Sequence, residues 1–497
     1  MEQVHGKFAQ KTLTNLGTNQ VKVGVKMELP TLAKKVLSVL PAVRVHDVTR
    51  NGKDCVVSGK VLTRAIFIDE FGGYNSEERS DDFSEKFAVE GENFIPVLGI
   101  HPVAEPRFNR ADGDLIGSIQ GDYIVTVGLS GLKEIEIPYL TDITEKGIEQ
   151  KCGQKELCTF SDLFFEKFDI GEVITLDANI EGVLGVELNA TVKEVANKDG
   201  KIVVKGTAVA GVSVVKSVEG GQTIQNNFYD FDFSKTFSKP VTGEIVCANV
   251  MICDAQSKVE HREKPELVIE AKLAFTAGAV NWHTVKTVDD AFSCTHDIIF
   301  GTANAVSTAV TAQTSMTADV EGNLTMPNGS PFIGKVLWAN AGTISGINAK
   351  SGDDRATIEG VLNINMVYEC EEKGVYSHVC EVPFSVNVKI DGLTPKHSVG
   401  ASVYPLSCNI KARRGKELII DARVGVNAGG NLNNAEKLIS GAECGAEKPA
   451  ETASIIIHVV QPNETAWDIA KGLSMPVNKI KGECVAGERI AIYKQRA

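Results

Sequence analysis

Eleven cysteines are spread over 497 residues with no Cys-x-x-Cys among them, which excludes a scaffold built on disulfides. The two Cys-x5-Cys pairs, Cys152/Cys158 and Cys247/Cys253, lack a second ligand pair at zinc spacing and read as buried or free thiols. Aromatic residues make up only 6%, and no stretch approaches the ~18–20 apolar residues that cross a bilayer, so no membrane span is expected. Positive charge is also short. With 51 Lys and Arg against 64 Asp and Glu the formal charge is −13, which argues against nucleic acid as a partner. The opening Met1-Glu2-Gln3-Val4-His5-Gly6-Lys7 has no apolar leader core. The expectation is a cytoplasmic protein, in which the Asn-x-Ser/Thr sites at Asn189, Asn323, Asn328 and Asn463 carry no glycan.

Catalytic patterns are equally scarce. The nine histidines fall in no Cys-His or Ser-His-Asp order, and Cys294-Thr295-His296 has no companion ligands. Gly329 to Val336 nearly spells a phosphate-binding loop, but Val336 replaces the hydroxyl that would hold magnesium and Pro331 removes a backbone N–H. The charged run Glu77 to Asp82 reads as a solvated loop, and no carboxylate pair stands out as acid and base. The reading is a chain with no enzymatic activity, no cofactor and no metal.

What the chain does contain is a threefold punctuation: a Val-Leu pair, a Gly about 22 residues on, then a Phe-Ser. It occurs as Val36-Leu37, Gly59 and Phe83-Ser84, as Val183-Leu184, Gly206 and Phe233-Ser234, and as Val336-Leu337, Gly360 and Phe384-Ser385. A period this long implies whole domains rather than a solenoid. Inside each copy, residues alternate with the period of a half-buried strand. Turns are expected at Asn51-Gly52, Asp199-Gly200 and Ser351-Gly352, then at Gly72-Gly73, Gly220-Gly221 and Gly374. The recurrent Gly implies a bulge or a close backbone approach, and residues spaced by four, such as Phe83 and Phe87, share one buried face. Each copy closes on a strong strand, at Tyr123–Val127, Leu267–Leu273 and Leu418–Val424, with a loop insertion at Arg107–Asp114 in the first. The fold expected is mainly β: three repeated β-sandwich-like domains at 28–135, 172–284 and 325–430. The stretches 132–175 and 285–325 brace neighbouring domains, and the small, charged residues at 441–453 read as a linker.

Beyond it the pattern changes to a small α+β unit at 454–494 of order βααβ. Ile455 to Val460 make a strand, Gln461-Pro462-Asn463-Glu464 a turn, and Thr465 with Asp468 a capping box. A helix opens at Trp467 and ends at Gly472, a second starts at Pro476, and Ile490 to Tyr493 return as a strand. Val459 to Ala470 resembles the opening of a LysM domain and Gly487 to Tyr493 its closing strand, although the loop after the second helix is short. The candidate partner-binding residues are Pro462, Asn463, Glu464, Trp467 and Asp468, with Trp467 as anchor or as core.

The three repeats, with their Val-Leu starts, Gly-centred strands and Phe-Ser returns, resemble SPOCS domains, the repeated module of clostridial spore coat assembly proteins. Val288-Asp289-Asp290-Ala291-Phe292-Ser293 is similar to the Asp-Ala-Tyr-Ser inter-domain signature of that family. The resemblance implies a scaffold or adaptor at the forespore surface in the mother cell. Its partner would be a spore coat morphogenetic protein of the basement-layer ATPase type. The LysM likeness implies the alternative of peptidoglycan or chitin binding.

Overall fold

The computed structural model describes residues 1–90, 93–198, 200–219, 221–260, 264–310, 314–372, 374–449 and 455–493. The expected turn residues Asp199 and Gly220, residues 450–453 at the end of the expected linker, and residues 454 and 494 at the two ends of the expected tail unit lie outside them.

Among the described residues, nineteen strands form three consecutive units. The first comprises β1 (Gln3–Asn51), β2 (Asp54–Asp69), β3 (Tyr74–Ala88), β4 (Phe94–Pro102), β5 (Arg107–Asp112) and β6 (Leu115–Ile143). The second comprises β7 (Ile148–Thr175), β8 (Ile180–Lys198), β9 (Lys201–Val218), β10 (Gly221–Pro240), β11 (Glu244–Glu260) and β12 (Glu266–Ser293). The third runs through β13 (His296–Val310), β14 (Thr314–Thr325), β15 (Ile333–Ser351), β16 (Arg355–Cys370), β17 (Val375–Lys389), β18 (Ser398–Arg414) and β19 (Glu417–Glu447). All pairings are antiparallel. In the second unit the sheet β10-β9-β8 faces the sheet β11-β12-β7; in the third, β15-β16-β17 faces the sheet that β13, β14 and β18 form on β19. In the first unit β1 runs unbroken through both layers, so they merge into one sheet, β3-β2-β1-β6-β4, with β5 also on β6.

Alternation supplies the cores. Val204, Val212, Phe233, Leu273 and Phe275 fill the second unit between its sheets, and Ile358, Ile364, Val388, Ile420 and Val424 fill the third. Each such side chain contributes about 1.5–3 kcal/mol by leaving water. The cores begin before the expected starts at 28, 172 and 325: Val23 and Val25, Phe164 and Phe168, and Val320 already belong to them. In the second and third units the strand supplying them, β7 or β14, carries none of the repeat punctuation, and in the first they precede Val36-Leu37 on β1.

Gly59, Gly206 and Gly360 stand directly opposite Phe83, Phe233 and Phe384. Each ring lies over its glycine: a Cβ on Gly206 would come within 2.1 Å of the Thr191 carbonyl oxygen and 2.3 Å of the Phe233 ring. The equivalent carbonyls belong to Arg44 at Gly59 and to Ser345 at Gly360. Close approach and a neighbouring register shift therefore coincide, at Val45/Asp47, Val192/Glu194 and Ser345/Asn348.

The Val-Leu pairs act at another level. Leu37, Leu184 and Leu337 meet with Ile66, Val215 and Trp338 in one buried cluster between the three units. Cyclic contacts surround it. Arg64 Nη2 donates to the Val186 carbonyl (3.0 Å), Asn226 Nδ2 to the Ala339 carbonyl (3.0 Å), and Lys35 Nζ to the Val375 carbonyl. The units thus close a ring, first to second, second to third, third to first.

Several expectations change. Glu77 to Asp82 is part of β3, paired along one edge with β2, and the Arg107–Asp114 insertion is a hairpin, β5 with β6. The stretch 441–453 begins as strand: Gly441 to Glu447 finish β19 against β13. Its small residues serve packing, since Ala442 is 2% exposed and its N–H and carbonyl bond the Gln3 amide at 3.0 and 2.6 Å. Ribbons β1/β6, β7/β12 and β13/β19 come together there, burying Phe8, Leu157, Leu140, Val288 and Leu438.

The tail holds β20 (Ile455–Val459), α1 (Ala466–Gly472) and β21 (Arg489–Tyr493), with β20 antiparallel to β21. The Thr465/Asp468 capping box forms. The expected βααβ order does not: Val477–Lys479 is one 3-10 turn, since Ile480 leaves the helical region at ψ 105°.

Candidate functional site

The five tail residues singled out from sequence are dispersed among local roles. Pro462 and Asn463 form an exposed turn, with Asn463 at φ +64°. Glu464 accepts from the Gln461 N–H (2.8 Å) and pairs with His458 Nε2 (2.8 Å), and these contacts hold its carboxyl below the usual range. Asp468 is lowered likewise by the Thr465 hydroxyl and N–H.

Trp467 turns inward, onto the end of β12. Its ring meets Phe292 edge-on at 5.0 Å between centroids, and Nε1 donates to Asp290 Oδ2 at 2.9 Å. Lys471 Nζ reaches the same carboxylate at 2.7 Å, and Lys448 Nζ joins the Ser293 carbonyl to Ser474 Oγ at 2.9 and 3.1 Å. Phe292 shares a buried cluster with Val460, Ile469, Met475 and Ile492. The segment Val288 to Ser293, noted in the sequence as an inter-domain signature, is thus the seat of the tail.

Sequence reasoning missed a cavity of about 1180 Å³ lined by all three units. Arg44, Arg64 and Glu78 come from the first unit, Glu187 and Asn249 from the second, and Asn340, Asn363 and Asn427 from the third. Arg64 pairs with Glu78 (2.6 Å) and more loosely with Glu187 (3.8 Å); Asn427 Nδ2 donates to Asn249 Oδ1 at 3.1 Å. Gly185 makes room, because a Cβ there would sit 2.5 Å from the Arg64 guanidinium carbon. A third of the Glu187 side chain is accessible, and the residue lines the cavity; burial pushes its pKa up, against the pull of Arg64 and Asn340. Cys247, at φ +55°, also faces the cavity, and burial raises its thiol.

A signal for this site existed in departures from the repeat. The position three after each Val-Leu pair holds Leu40, Glu187 or Asn340, and the carbonyl facing each recurrent glycine belongs to Arg44, Thr191 or Ser345. Core and turn positions repeat, whereas cavity positions differ.

The remaining motifs do not assemble into sites. Gly329 is a turn residue and Lys335 lies in strand β15, not at a helix N-terminus, so no phosphate cradle forms. His296 Nδ1 bonds Thr295 Oγ1 at 3.0 Å, while Cys294 packs against the tail. Among the described residues no group of three or more His, Cys, Asp or Glu is placed to hold a metal ion, and no helix is long and apolar enough to cross a membrane.

With this geometry in place, the comparisons single out the third unit. Residues 333–413 match the family described as SipL, SPOCS domain. The match spans β15 to β18, so this part of the chain is a SPOCS domain, a module that suggests a role in spore coat assembly with coat proteins as partners. No LysM domain is matched in the tail. Neither a curated protein nor a solved structure matches the chain.

Proposed function

We propose that this chain is a non-enzymatic adaptor in spore coat assembly, acting at the forespore surface in the mother-cell cytoplasm. It would link coat components to a basement-layer morphogenetic protein of the ATPase type. The observation that carries the reading is the SPOCS match at 333–413, which falls on one of three units built to one plan. On this reading all three units are SPOCS modules. A ring of three offers several weak contacts on one body, and linked contacts raise avidity through effective concentration without a single strong site.

The tail would contribute its outer face, since Trp467 is occupied by Asp290 and Phe292. Co-purification from sporulating cells, with and without residues 453–497, tests this role. Loss of the basement-layer partner on truncation is expected; retention of every partner removes the tail from the mechanism.

A further inference from the structure

A chain of formal charge −13 gathers four cations into six residues where β18 turns into β19: Lys411, Arg413, Arg414 and Lys416. Lys411, Arg413 and Arg414 are exposed and Lys416 is partly buried. Among the described residues none of the four joins an ion pair or donates a side-chain hydrogen bond, although Arg423, further along β19, pairs with Asp230 of the second unit at 3.1 Å. At the β5/β6 turn of the first unit, Arg110 likewise has an acid, Asp114, at 2.5 Å. Like charges crowded on one turn repel, and an anion bound across them removes that cost.

An apolar anchor stands beside the charges. Phe332, 57% exposed, lies over Gly415, where a Cβ would come within 2.7 Å of its ring, and Lys416 Nζ stands 5.4 Å from the ring centroid. The loop that carries it is tied to the turn: Met326 N–H donates to the Lys416 carbonyl at 2.9 Å and Ile333 N–H to the Gly415 carbonyl at 2.7 Å. Pro327 to Phe332 contain no charged residue. The fold does not demand a phenylalanine here. The carbonyls of Leu32, Asn179 and Phe332 accept from Glu70, Ser217 and Glu371 in the same way, so leucine and asparagine fill the equivalent places.

Nearby carboxylates limit the shape of the partner. Glu417 faces Arg414 across the turn without an ion pair, and Glu371, whose N–H donates to the Phe332 carbonyl at 3.3 Å, lies with Glu372 between β16 and β17. A bilayer or a nucleic acid duplex, broad and anionic, would press on these acids as well as on the cations. A single acidic polypeptide segment is narrow enough to follow the cationic turn and set an apolar side chain on Phe332.

We infer that the β18/β19 turn and Phe332 form a docking surface for an acidic polypeptide segment with an apolar residue among its carboxylates. The surface does not depend on the coat assignment.

Fluorescence anisotropy on the full chain tests it with three labelled, end-blocked dodecapeptides. One is built of Asp and Glu around a central Leu, one replaces every acid by its amide, and one keeps the acids but replaces Leu by Ser. The first is expected to bind at least about tenfold more tightly than the amide peptide, the scale of one charge-assisted contact. It should also exceed the Ser peptide by about threefold, the scale of a partly buried leucine. Arg413→Glu with Arg414→Glu should erase the preference for acid. Lys198→Glu with Lys201→Glu, at the exposed β8/β9 turn, makes the same change in net charge and should leave it intact. Phe332→Ser should remove only the difference between the Leu and Ser peptides. Absence of binding, equal binding of the amide peptide, equal loss in both charge-reversed variants, or displacement of the peptide by phosphatidylglycerol vesicles or duplex DNA at matched charge would each overturn the inference.

Discussion

At the scale of single residues, the three glycines under phenylalanine rings are the tightest points of the fold. Alanine at Gly206 would press its methyl on both the Thr191 carbonyl and the Phe233 ring. Denaturant unfolding of Gly206→Ala should show a loss of about 1–3 kcal/mol, the usual cost of overpacking. Alanine at Gly182, which meets nothing within 4 Å, is the control. These glycines, their phenylalanines and the alternating strands were legible in the sequence because a repeat writes its core three times. Arg44, Arg64 and Glu187 were not, because their role arises only where three units face one another, and no local period marks that place. The Glu77 to Asp82 run misled for a related reason: its charge reports exposure, and an exposed edge strand has as much of it as a loop.

At the scale of elements, the tail is a small unit held by a larger one. Its own strands pair over only five residues, and its small apolar cluster extends to Phe292 and Cys294 of the body. Trp467→Ala removes the edge-on ring contact and the bond to Asp290, a loss of about 3 kcal/mol or less for a half-buried indole. Lys448, now tied to Ser293 and Ser474, should then become open to trypsin, releasing the tail as a fragment in a limited digest. An unchanged digestion rate would mean that the other contacts suffice. The capping box and both strands of this unit could be read directly from Thr465, Asp468 and the flanking isoleucines. The second helix could not, since Pro476 and Val477 start a turn whose continuation depends on the backbone at Ile480.

At the scale of the whole molecule, the ring places an acid between units, and its titration reports on their union. The folded pKa of Glu187 lies above its ordinary value of 4.5, with burial as the largest cause. A group raised in this way favours folding below the unfolded pKa, and that contribution is lost as pH rises through the folded pKa. Glu187→Gln escapes the loss. Thermal melts should show the variant equal to the parent near pH 4.5 and more stable by about 1–2 °C at pH 8. A variant less stable at pH 8 would mean that attraction to Arg64 outweighs burial.

The hydrogen bonds between Gln3 and Ala442 set the first strand of the first unit beside the last strand of the third. The first and second units are joined by the short turn at residues 144–147, and the second and third by residues 294–295. A similar short link from β19 to β1 would make the chain a closed loop, in which any of the three joints could be the one left open. Circular permutation at Lys146-Gly147, with such a link in place, is expected to leave the ring's architecture intact, as an unchanged far-ultraviolet circular dichroism spectrum and cooperative melt would show.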